Sequence, residues 1–103
     1  MIKVSVLYPA GEATKFDMDY YCAHHMPMAK ARFGAACKGM SIDQGLGSET
    51  PGAPPAVAAM GHFLFDSIPA FQAAFGPHAA EILGDIPNYT NVKPVIQISD
   101  VKL

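Results

Sequence analysis

Two histidines, a cysteine, two tyrosines and two carboxylates fall within one short stretch, Phe16 to Pro27, reading F-D-M-D-Y-Y-C-A-H-H-M-P. Histidine takes or gives a proton near neutral pH, tyrosine offers a hydroxyl to a reacting oxygen, and a cysteine thiolate is a nucleophile. Spacing decides which of these act together. Read as a helix, the stretch opens with Asp17 as N-cap, Asp19 at the positive end of the dipole and Phe16 as a hydrophobic staple. At about 100° per residue, Met18, Cys22 and His25 share one stripe with Tyr21 at its edge, while Tyr20 and His24 face the other side. The phase thus selects His25 as the core-facing acid–base candidate, with Tyr21 one turn before it. The plainer alternative is a buried histidine bonded to a backbone carbonyl, such as one freed by Pro27.

Other groups make weaker cases. His24 and His25 diverge on a helix, and no carboxylate joins another histidine at a zinc-type spacing, so no metal site is expected. Cys22 reads as a small core residue. His62 falls in the middle of a strand and suits either a pocket or an interface. The G-L-G at 45–47 opens no helix, and without a Rossmann or phosphate-binding glycine pattern no cofactor is expected.

The elements around this stretch follow from hydrophobic period and punctuation. Residues 2–8 alternate as a strand, with Ile2, Val4, Val6 and Tyr8 on one face. The helix runs from Asp17 to about Phe33, where Gly34 suits a stop. Pro27 either kinks it or divides it near His25, because it lacks an amide donor and crowds the carbonyl of Ala23. Residues 38–47 form a weaker strand, 48–55 a proline-rich loop, and 57–66 the clearest strand. In that strand Val57, Ala59, Gly61, Phe63 and Phe65 share one face; Ala58, Met60, His62 and Leu64 share the other. Ser67 caps a second helix that breaks at Gly76-Pro77 and resumes to Leu83. D-I-P-N-Y-T, residues 85–90, is an ordered loop, and 93–101 the last strand, with Pro94 marking an edge or entrance. The order β-α-β-β-α-β predicts an α+β, ferredoxin-like fold: a four-stranded antiparallel sheet with both helices on one face, in a single domain over residues 1–103.

Half of the 103 residues are hydrophobic and 16% are charged, a lean surface that points to a homodimer packed sheet to sheet. The net charge of −2 and scattered basic residues give no footprint for nucleic acid or an anionic membrane. No apolar run approaches the roughly 20 residues of a membrane span. The start Met1-Ile2-Lys3 leads straight into strand alternation, so the expected location is the cytoplasm, with Cys22 and Cys37 reduced.

Over nearly its whole length the chain resembles the EthD family, named for a protein encoded with an ether-degrading monooxygenase system. The resemblance rests on V-L-Y-P in the first strand and on F-D-x-x-Y-Y-x-x-x-H-x-P at Phe16, Asp17, Tyr20, Tyr21, His25 and Pro27. It closes on A-E-I-L-G-D-I-P-N-Y-T. It implies a dimeric α+β barrel, the fold shared with small cofactor-free monooxygenases, muconolactone isomerases and polyketide cyclases. It also implies an oxidoreductase-like, catabolic or xenobiotic-degrading role. Two functions then compete. One is a cofactor-independent enzyme acting on a small apolar or aromatic carbonyl or phenolic compound. His25 would move the proton, Tyr20 or Tyr21 would hold the oxygen, and Phe63, Phe65, Phe71 and Phe75, with His62, would line the pocket. The other is a non-catalytic small-molecule binder, accessory to an oxygenase.

Overall fold

The computed structural model describes residues 1–103. Strand β1 (Ile2–Pro9) lies in the interior of a four-stranded sheet ordered β2-β3-β1-β4, with β2 (Gly39–Gln44), β3 (Val57–Phe65) and β4 (Val95–Asp100) all antiparallel to their neighbours. Register follows the alternation. Val4 pairs with Phe63 on one side and Ile98 on the other, and Gly61 pairs with Val6 and Ile42. Because paired residues share a face, Ile2, Val4, Val6 and Tyr8 form with Ala59, Phe63 and Phe65 the side on which the core is built. Lys3, Ser5, Leu7, Met60, His62 and Leu64 form the opposite, open side. Pro94 stands just before β4, an edge strand, as its missing donor requires.

Helix α1 is built from an α turn Met18–Tyr20, a π turn Tyr21–His25 and an α-helix Met26–Phe33, joined without a break. Asp17 caps it: its carboxylate accepts the Tyr20 N–H at 3.0 Å. Pro27 does not divide the helix. The turn before it widens instead, the Met26 N–H donating to the Tyr21 carbonyl. That widening moves the buried stripe to Tyr21, His25, Met26, Ala29 and Phe33. Cys22, expected inside, is exposed as a result, and Tyr21, expected at the edge, is 1% exposed. Gly34 ends the helix at φ +62°, a conformation that favours glycine.

Helix α2 (Ile68–Phe75) starts on Ser67, whose Oγ accepts the Ala70 N–H at 3.2 Å, and a 3₁₀ turn Gly76–His78 joins it to α3 (Ala79–Gly84). Phe33 of α1, Phe71 of α2 and Ile82 of α3 pack onto the sheet around Phe63 and Phe65. No helix is long and apolar enough to cross a membrane.

Candidate functional site

The segment after α3 is fastened to the start of α1, and this brings residues 60 positions apart into contact. The Asp17 N–H donates to the Tyr89 carbonyl at 2.7 Å, Phe16 bridges Thr90, and the Thr90 hydroxyl donates to the Lys15 carbonyl at 2.6 Å. Asp85 is thereby set against the π turn. Its Oδ2 lies 2.9 Å from His25 Nδ1, and its Oδ1 accepts from the Tyr20 hydroxyl at 2.7 Å and the Asn88 amide at 2.8 Å.

A carboxylate only accepts, so His25 Nδ1 carries the hydrogen and Nε2 is the free nitrogen. Burial pushes the His25 pKa down, more than the bond and charge of Asp85 pull it up, and the imidazole is neutral at neutral pH. Burial alone would raise the Asp85 carboxyl. The hydrogen bonds from Asn88, Tyr20 and His25 outweigh it and hold the group below the usual carboxylate range. Tyr21 stacks on the imidazole with ring centroids 5.6 Å apart and planes 13° from parallel, and Tyr89 approaches at 4.6 Å. These rings and Asp85 fix the imidazole from three sides.

His25 borders a cavity of about 190 Å³ between the sheet and the helices. Val4, Val6 and Phe63 form its floor, Phe71, Phe75 and Ile82 its roof. Leu83 and Ile96, 43% and 49% exposed, mark its solvent edge. Among the 14 residues that line it, His25 is the only one that is not hydrophobic. Asp85 reaches solvent on its other side, in an open polar groove shared with Tyr20, His24 and Asn88.

The structure therefore gathers His25, Tyr21, Phe63, Phe71 and Phe75 around one space. It leaves out three residues expected there. Phe65 is fully buried behind the cavity, against Phe33 and Phe71. The Tyr20 hydroxyl is engaged by Asp85. His62 projects from the open side of the sheet, 2.8 Å from Ser5 Oγ and 3.5 Å from Asp43, because an even position in β3 cannot face the helices. Tyr21 also differs from expectation: its ring lines the cavity, but its hydroxyl is buried without a partner beside Gly61 and Met26. Neither Tyr20 nor Tyr21 presents a free hydroxyl to a ligand oxygen.

Sequence reasoning missed Asp85, Tyr8 and Tyr89. The Tyr8 and Tyr89 hydroxyls close on each other at 2.6 Å beneath the π turn. No spacing rule links residue 85 to residue 25. The available signal was an isolated acid directly after a helix-stopping glycine, with Asn88 three residues on.

Comparison with known proteins agrees with this architecture. The family model described as the EthD domain matches residues 10–93. An EthD-like protein from Ralstonia eutropha JMP134, known from its crystal structure, is 53% identical; the match covers 99% of this chain and 92% of that one, with a TM-score of 0.95. An ethyl tert-butyl ether degradation (EthD) family protein from Bacillus halodurans C-125 is 18% identical over 99% of both chains, with a TM-score of 0.68, a likeness of fold. No curated protein matches the sequence. With its domain matched over most of its length and a relative at this identity, the chain belongs to the EthD family.

Proposed function

We propose that the chain is a small cofactor-independent enzyme that moves a proton on an uncharged apolar or aromatic compound bearing a carbonyl or phenolic oxygen. The observation that carries this reading is His25, held at Nδ1 by Asp85 with Nε2 free at the wall of an apolar cavity. A neutral imidazole in that position is a base. It takes the proton of an O–H, or of a C–H next to a carbonyl, at Nε2, and the imidazolium that forms is stabilised by the ionised carboxylate 2.9 Å away. Tyr20 and Asn88 hold the second carboxylate oxygen and so fix the direction of the pair. Return of the proton from Nε2 completes the cycle. The oxidoreductase-like, catabolic outcome implied by the resemblance belongs in this reading to the later fate of the compound released after the proton has returned to it.

Two copies would pack through their open sheet faces. Leu7, Met60 and Leu64 surround the Ser5–His62–Asp43 row there, and no helix of the same chain covers them.

One observation favours the second reading, a carrier or accessory protein: the cavity wall presents a single polar residue, enough to orient a ligand. Incubation of the protein with single-ring phenols and cyclic ketones in deuterium oxide, followed by NMR, separates the two. The enzyme reading expects exchange of carbon-bound hydrogen, or conversion, with the native chain and neither above the uncatalysed background with His25→Ala. Binding without exchange or conversion across the set selects the carrier. Absence of binding removes both.

A further inference from the structure

We propose that the cavity selects uncharged single-ring compounds that donate a hydrogen bond, phenols and enols, over ketones, ethers and carboxylates. This rests on the preceding reading that the space beside His25 is the ligand site, and it divides the carbonyl branch of that reading from the phenolic one.

Asp85 Oδ2 can only accept, so the hydrogen between it and His25 lies on Nδ1, and Nε2 presents a lone pair. Nε2 has no protein partner, yet it is not sealed: the one side-chain nitrogen or oxygen that is both buried and unpartnered is the Tyr21 hydroxyl. The cavity wall thus offers an acceptor.

It offers no donor to match. The Tyr8 and Tyr89 hydroxyls share one hydrogen bond, and the hydrogen it leaves over is enclosed with them, the two residues being 1% and 4% exposed; the Tyr20 hydroxyl donates to Asp85, and the Tyr21 hydroxyl is shut away where the backbone of Gly61 and the Met26 thioether meet it. Every other lining side chain is aliphatic, aromatic or a thioether. A phenol O–H therefore completes a hydrogen bond at Nε2, whereas a ketone or ether oxygen meets it lone pair to lone pair. A carboxylate is worse placed still. No lysine or arginine lines the cavity, and the Asp85 charge stands directly behind the imidazole. Burial keeps His25 neutral at neutral pH, which preserves the acceptor. The space of about 190 Å³ holds one ring and a few further atoms, since an apolar cavity of about 150 Å³ is enough for benzene.

Asp85→Asn makes this reversible. Tyr20 and Asn88 both donate to Oδ1, so the carbonyl oxygen of the new amide stays on that side and its NH₂ turns towards His25. An amide donating to Nδ1 forces the ring hydrogen onto Nε2, and the cavity wall becomes a donor. The experiment is a calorimetric titration of the full chain with phenol, cyclohexanone, benzene and benzoate at neutral pH, with the His25 tautomer read from its ¹⁵N shifts. The native chain should bind phenol about tenfold more tightly than cyclohexanone or benzene, the worth of one hydrogen bond, and should not bind benzoate. Asp85→Asn should place cyclohexanone above phenol. Equal or tighter binding of cyclohexanone by the native chain, or a hydrogen found on Nε2 there, overturns the proposal, and both are read without any variant. The same holds if a folded Asp85→Asn protein keeps the native ranking. If none of the four compounds binds, the ligand site itself fails, and with it the proposed function.

Discussion

His25 and His62 project from opposite faces of one sheet-and-helix body, and each has a carboxylate near its ring. His62 has both nitrogens faced, Nδ1 by Ser5 and Nε2 by an Asp43 side chain that is 62% exposed. His25 has one nitrogen held by a carboxylate that is 16% exposed and the other left over empty space. Residue type and a nearby acid are common to both, so neither makes a site. What separates them is a free nitrogen with room in front of it, and that follows from which side of the sheet the helices cover.

The largest effect expected from this contrast is catalytic. Replacing His25 with Ala should lower the catalysed exchange of carbon-bound hydrogen in a bound phenol or ketone by about 100-fold or more, the usual scale of a lost acid–base group. His62→Ala should leave the exchange rate unchanged. A comparable loss in both variants would erase the distinction between the faces.

Neighbouring residues on β3 test the same contrast in stability. Phe65 is fully buried among Phe33 and Phe71, so Phe65→Ala should cost about 3–5 kcal/mol of unfolding free energy. Leu64, one residue away on the open side, should cost about 1 kcal/mol or less in the isolated chain. Denaturant titration gives both values. If a second copy covers the open face, Leu64→Glu should shift the sedimentation of the protein to the monomer, and Phe65→Ala should not do so while it remains folded.

A smaller and stranger effect is expected at Gly61, where a methyl group would meet the Tyr21 hydroxyl and lie 2.8 Å from Met26 Cε. Gly61→Ala should cost about 1–3 kcal/mol through overpacking. Tyr21→Phe removes a buried hydroxyl with no partner and should be neutral or stabilising. Combined, the two should be non-additive, because the phenyl ring no longer carries the clashing oxygen. Additive costs in a double-mutant cycle would show that the contact is not the source of the strain.

The extent to which all this was legible in sequence differs by element. Strands β1 and β3 announced their faces because a period of two leaves no choice of register once one side is buried. The position of His25 was legible as well. The phase around it was not: Pro27 signalled a disturbance, but a kink, a break and a π turn satisfy the missing donor equally well on paper. The widened turn, visible only in three dimensions, expels Cys22 and sinks Tyr21. Asp85 was illegible for a different reason. It reaches His25 through a chain of loop contacts, Asp17 to Tyr89 and Thr90 to Lys15, that no local periodicity encodes.

The least dramatic expectation is also the one that isolates the His25–Asp85 pair from any ligand. The folded His25 pKa lies below its ordinary 6.5, so between 6.5 and the folded value the unfolded chain binds more protons than the native one. Stability is therefore complete above 6.5 and declines as pH falls through that window. Asp85 has a folded pKa below 3.8, so its contribution is present above 3.8 and is lost as pH falls through the folded value. Acid thus weakens the fold in two separate windows. His25→Phe should remove the upper decline and leave the lower one. Asp85→Asn should shrink the lower decline to the part that Glu81 contributes, whose carboxyl the Arg32 guanidinium also holds below its usual range. It should also extend the upper one towards acid, because the carboxylate that partly supported the imidazolium is gone. Denaturation midpoints measured across pH decide this. A native chain whose stability is flat just below 6.5, or an upper decline that survives His25→Phe, would mean that His25 is not the neutral, buried base on which the contrast with His62 depends.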